Sequence, residues 1–75
     1  MKVMQTIKND GRRIRVQDRI DPTSYNTYSA VESITKEWDI DTCTAYYVLH
    51  MDNGVTATYN KKEWVILREE FVPVM

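Results

Sequence analysis

The sequence predicts an all-β domain, and three observations carry the prediction. Residues 12–20, RRIRVQDRI, alternate Ile14, Val16 and Ile20 against Arg13, Arg15, Gln17 and Arg19, the period of a strand with one wet face. Residues 44–59, TAYYVLHMDNGVTATY, set two β-rich runs on either side of Asn53-Gly54, the residue pair that best tolerates the positive φ angles of a hairpin turn. The two glycines and two prolines all fall at segment boundaries: Gly11, Pro22, Gly54 and Pro73.

Taken in order, residues 2–7, KVMQTI, read as an N-terminal extra strand, and Asn9-Asp10-Gly11 supplies small residues for a tight reversal into Arg12. The strand from Arg12 to Ile20 ends at Asp21-Pro22, where proline removes a ladder donor. A polar loop, PTSYNT, carries Tyr25. The next stretch, YSAVESITKEW, fits two readings. As a helix over about 29–38 it has Ser29 and Glu32 in capping-box spacing and Tyr28, Val31, Ile34 and Trp38 near one face, which would give an α+β fold with that helix packed on an antiparallel sheet. As a strand it needs a bulge, because Val31 and Ile34 otherwise fall on opposite faces. After a turn at 39–42, TAYYVLHM and VTATY form the hairpin, with Thr56 and Thr58 toward solvent. A short polar connection, Asn60 to Glu63, leads to a final strand from Trp64, which Pro73 limits.

Composition bounds what such a chain can do. Seventy-five residues with 43% hydrophobic content make one small domain, with residues 12–68 as its body, 1–11 as an added strand or arm and 69–75 as a tail. A chain this short buries only about 60 to 65% of its unfolded surface, so a partner or a second copy would add stability. Cys43 is the single cysteine and has no internal disulfide partner. The start, MKVMQTIKND, lacks an apolar run long enough for a signal peptide or a membrane span, so a soluble cytoplasmic protein with no membrane partner is expected. Net charge is −1, unevenly spread. Residues 1–20 set Lys2, Lys8, Arg12, Arg13, Arg15 and Arg19 against Asp10 and Asp18, a balance of +4, and residues 21–75 return −5.

Catalysis needs a nucleophile with its base, paired carboxylates in a cleft, or a ligand set for a metal. His50 is the only histidine, no C-x-x-C or H-x-x-x-H spacing occurs, and both glycines serve turns rather than a phosphate loop. Asp39 and Asp41, with Asp52 in a neighbouring loop, read as solvated acidic loops, since a calcium loop supplies more oxygens and a distal glutamate. No catalytic residue, metal site or cofactor is expected. The arginine strand reads as a solvated or internally paired face, a protein contact, or a nucleic-acid grip; its alternate side chains stand about 6.5 to 7 Å apart, close to phosphate spacing. Glu69 and Glu70 on the last strand would pair with those arginines across the sheet.

The run "RIRVQDRI … YSAVESI … AYYVLHMDNGVTATY … EWVIL" resembles the small SH3-like barrels of the Tudor and KOW type, through Val31 and Ile34, then Tyr46, Val48, Met51 to Gly54, and Trp64 to Leu67. The resemblance covers residues 12 to about 68, and small phage-encoded proteins often look like this. It implies a five- or six-stranded barrel and the strand reading of residues 29–37. Ile14, Val16, Ile20, Val31, Ile34, Tyr47, Leu49, Val55, Ala57, Val65 and Leu67 are then the expected core. It also implies a non-enzymatic module that binds another protein, such as a small phage-type regulator or inhibitor of a host system. Tyr25, Tyr28, Trp38 and Tyr46 are the expected contact residues, because in Tudor-type barrels loop aromatics attract cations through the ring quadrupole. The alternative is a nucleic-acid-binding barrel using Arg12, Arg13, Arg15 and Arg19. Self-association through the N-terminal strand or an open edge is a further expectation.

Overall fold

A computed structural model describes residues 1–68. They form five antiparallel strands and no helix: β1 (Lys2–Asp18), β2 (Tyr25–Asp39), β3 (Thr44–Met51), β4 (Thr56–Asn60) and β5 (Trp64–Arg68). They make one sheet in the order β4-β3-β2-β1-β5. The stretch with two readings is strand throughout. The expected tail 69–75, with Glu69 and Glu70, lies outside the described residues, among which no helix is long and apolar enough to cross a membrane.

Connectivity forces the sheet to curl. β4 and β5 are opposite edges, yet only Lys61, Lys62 and Glu63 join them. In a flat sheet four strand spacings would separate them by about 19 Å. Four residue steps reach about 14 Å at full stretch. The linker is also folded back, since the Glu63 N–H donates to the Asn60 carbonyl at 3.2 Å. The sheet therefore bends into a half-barrel that brings its edges together at this end. Arg19 fastens the closure: its N–H donates to the Glu63 carbonyl (3.0 Å) and its Nε to the Lys61 carbonyl (2.9 Å).

β1 corrects the expected reversal at Asn9-Asp10-Gly11. The chain continues in one direction, pairing Lys8 with Ser33 and Arg12 with Val31, so two extra residues sit on β1 at a bulge. Asp10 (φ 56°) and Gly11 (φ 73°) supply the left-handed backbone that a reversal would also need, which is why the two are alike in sequence. Asn9 holds the bulge. Its side chain is buried, and Nδ2 donates to the Arg12 carbonyl (2.8 Å) and the Val31 carbonyl (2.7 Å). A second shift, between Arg12/Val31 and Ile14/Tyr28, puts an extra residue on β2. A third, on the β3 side of β2, lies between Val31 and Ser33 and lets Val31 and Ile34 share the inner face.

The inner face carries the core: Ile14, Val16, Val31, Ile34 and Leu49 are buried, with Tyr28, Tyr47, Met51, Ala57, Tyr59, Trp64 and Ile66 packed against them. Four expected core residues, Ile20, Val55, Val65 and Leu67, are not there. Ile20 is 94% exposed because β1 stops at Asp18, whose Oδ1 accepts the Ile20 and Asp21 N–H groups and turns the chain out. Val55 is exposed because it lies in the hairpin turn rather than in β4. Leu67 is exposed because β5 takes the other parity, with Trp64 and Ile66 inward and Val65 only half-buried. The hairpin turn also differs from the two-residue form. The Gly54 N–H donates to the Met51 carbonyl and the Met51 N–H to the Val55 carbonyl, and Gly54 alone has positive φ (87°), a three-residue loop with a glycine bulge.

Candidate protein-contact site

The register fixes which side chains share the outer face. Lys2, Asp39 and Thr44 lie in one row across β1, β2 and β3; Met4, Glu37, Tyr46 and Asn60 in the next; Thr6, Thr35, Val48 and Thr58 in a third. Hydroxyls knit this face together. Thr6 and Thr35 share a 3.0 Å hydrogen bond, and Thr35 Oγ1 lies 2.8 Å from His50 Nε2.

β4 ends at Asn60 opposite Tyr46, so β3 runs on toward Thr44 without a neighbour on that side, apart from the Lys61 N–H that donates to the Ala45 carbonyl. At this end of the sheet lies a cleft of about 470 Å³, lined by Lys2, Glu37, Trp38, Asp39, Thr42, Thr44, Tyr46 and Thr58. The β2–β3 turn walls one end. There the Asp41 N–H donates to Asp39 Oδ1 (3.1 Å), Thr42 and Thr44 share a hydroxyl bond (2.7 Å), and Cys43 adopts a φ of 54°. Trp38, opposite Val3 and Ala45, has the parity of the inner face and borders the cleft from there, while on the outer face the Tyr46 ring, Glu37 and Asp39 stand with Lys2 and make a setting for a cation.

The four aromatic residues expected at a contact site are thus only partly united. Trp38 and Tyr46 line the same cleft. Tyr25 stands at the other end of β2, thirteen residues from Trp38, on the order of 40 Å along the strand. Its ring receives the Arg15 guanidinium at 4.6 Å. Tyr28 belongs to the closed end of the barrel, where it meets Tyr59 edge-on at 6.2 Å and Tyr59 meets Trp64 at 5.2 Å. The Tyr28 and Tyr59 hydroxyls bond to each other, and Asn26 Nδ2 donates to the Tyr59 oxygen at 3.2 Å. Burial, then the bond to Tyr59 and its nearby charge, push the Tyr28 hydroxyl up to about 12.

The arginines of the first twenty residues also have distinct places. Arg12 and Arg13 are exposed beside the bulge, Arg15 is half-buried over Tyr25, and Arg19 latches the β4–β5 connection. Among the described residues no three histidine, cysteine or carboxylate side chains gather as a metal site, and Asp52 lies at the opposite end of β3 from Asp39 and Asp41. Glu37 and Thr44 were not singled out by the sequence. Their place in the cleft follows from register, which a single strand's pattern does not contain. Comparison of the chain with family models, curated proteins and solved structures finds no match.

Proposed function

We propose that this protein is a non-enzymatic interaction module of SH3-like, Tudor or KOW build, whose Trp38–Tyr46 cleft receives a basic side chain of another protein. The observation that carries the reading is the joint presence of Tyr46, Glu37 and Asp39 on a threonine-rich outer face around one 470 Å³ cleft, with Trp38 bordering it from the row between. The cleft is large enough for one lysine or arginine side chain and its neighbours. A small phage-type regulator or inhibitor of a host system would work this way: it occupies a partner and does no chemistry.

The test is affinity capture with mass spectrometry at two salt concentrations, comparing the native chain with a Trp38→Ala/Tyr46→Ala variant and a Glu37→Lys/Asp39→Lys variant, each checked for strand content by circular dichroism. A specific protein retained by the native chain and lost by both folded variants is the expected result. Equal capture by either variant refutes the cleft. Recovery of nucleic acid instead, with an affinity slope near −3.6 against log salt, would assign the molecule to the arginines Arg12, Arg13, Arg15 and Arg19, since four phosphate contacts give about that slope on duplex DNA.

A further inference from the structure

β5 covers β1 only from Ile14 to Asp18, whereas β2 pairs with β1 along nearly its whole length. Among the described residues nothing pairs with the other edge of Lys2–Lys8. The direction of its backbone groups can be read from one bond. The Ile40 N–H donates to the Met1 carbonyl at 3.0 Å, so Met1 turns its polar groups toward β2. Alternation then directs those of Val3, Gln5 and Ile7 to β2 as well, and those of Lys2, Met4, Thr6 and Lys8 outward. Four residues thus present a ladder of donors and acceptors that no other described residue pairs with, the template on which another strand adds.

Charge decides what strand fits. Lys2 and Lys8 stand on the same face at the two ends of this edge; Lys8 lies opposite Ser33 and Lys2 opposite Asp39, and neither closes an ion pair with a carboxylate among the described residues. A second copy paired so as to use all four outward residues would set Lys2 against Lys8 of its partner, and like charges directly opposite are destabilising. An acidic strand meets the opposite condition. Between the lysines, Met4 (65% exposed) and Val3 (42% exposed) leave apolar surface for the incoming side chains.

We propose that the Lys2–Lys8 edge takes an extended acidic segment of a partner protein as an added antiparallel strand. Carboxylates six residues apart face Lys8 and Lys2, and apolar residues between them face Ile7, Met4 and Val3. This contact goes beyond the cleft reading and does not depend on it.

The probe is an acetylated, amidated heptapeptide, EVTQLVE, titrated into the full chain at low ionic strength. Backbone amide resonances and hydrogen exchange are followed, and sedimentation is run on the free protein. Expected are new protection at the amides of Lys2, Met4, Thr6 and Lys8, binding about tenfold weaker for the lysine-ended peptide KVTQLVK, and loss of binding in Thr6→Pro. That proline removes an outward donor and leaves the β2 ladder intact, which the unchanged protection of Val3, Gln5 and Ile7 verifies. The Trp38→Ala/Tyr46→Ala variant retains peptide binding, which separates this edge from the cleft. No binding, equal binding by Thr6→Pro or KVTQLVK, outward amides already protected in the free protein, or a dimer dissolved by Thr6→Pro would each overturn the proposal.

Discussion

Replacing Asn9 by alanine removes the clamp on the bulge that joins the two halves of β1. The side chain is 2% exposed and donates twice, to the Arg12 and Val31 carbonyls at 2.8 and 2.7 Å. Each hydrogen bond contributes about 1 kcal/mol net, and a buried acceptor left without its donor adds about 1 to 3 kcal/mol. Against this, Asn9 Oδ1 is itself buried without a hydrogen-bond partner among the described residues, and alanine removes that penalty. The balance is a loss of about 2 kcal/mol, read by urea denaturation as a lower midpoint with unchanged slope, or as a melting temperature lower by about 8 to 16 °C.

Asn9→Asp sharpens the test. It sets carboxylate oxygens against two carbonyls in a dry site, so it costs more than alanine at neutral pH, about 3 kcal/mol or above. Burial beside carbonyls raises that carboxyl's pKa, and the protonated form regains one donor, so the variant recovers stability as pH falls through the raised value. An alanine variant within about 0.5 kcal/mol of the native chain, or an aspartate variant that tracks the alanine variant across this pH range, would refute the clamp.

Other outcomes follow from the same structure. Ile14→Ala should cost about 2 to 4 kcal/mol, whereas Ile20→Ala, 94% exposed, should stay within about 0.5 kcal/mol by chemical denaturation, though both belong to one alternating segment. Cys43→Gly should be neutral or stabilising by up to about 1 kcal/mol, since Cys43 holds a left-handed φ of 54° that glycine adopts without strain. The folded Tyr28 hydroxyl, at about 12, lies above its ordinary value of 10.0, so its contribution is whole below pH 10 and is lost as pH rises through 12. Ultraviolet titration should find Tyr28 among the last tyrosines to ionise, and Tyr28→Phe should remove part of the alkaline loss of stability.

Alternation determined much of the fold from the sequence alone. Ile14 and Val16 against Arg13 and Arg15, or Tyr47 and Leu49 against Val48 and His50, fix the two faces of β1 and β3, because successive side chains of a strand oppose each other whatever surrounds them. Glycine and asparagine likewise marked where the backbone leaves regular geometry. Only the tertiary structure decided what those departures do: Asn9-Asp10-Gly11 makes a bulge instead of a reversal because β2 is long enough to pair with both sides of it. It alone decided that β5 faces inward through Trp64 and Ile66, and that Trp38 and Tyr46 share a cleft while Tyr25 and Tyr28 do not. The physical reason is common to all three. Side-chain period is a property of one strand, whereas register, parity and proximity are properties of pairs of strands, settled by long-range backbone hydrogen bonds between residues far apart in the chain.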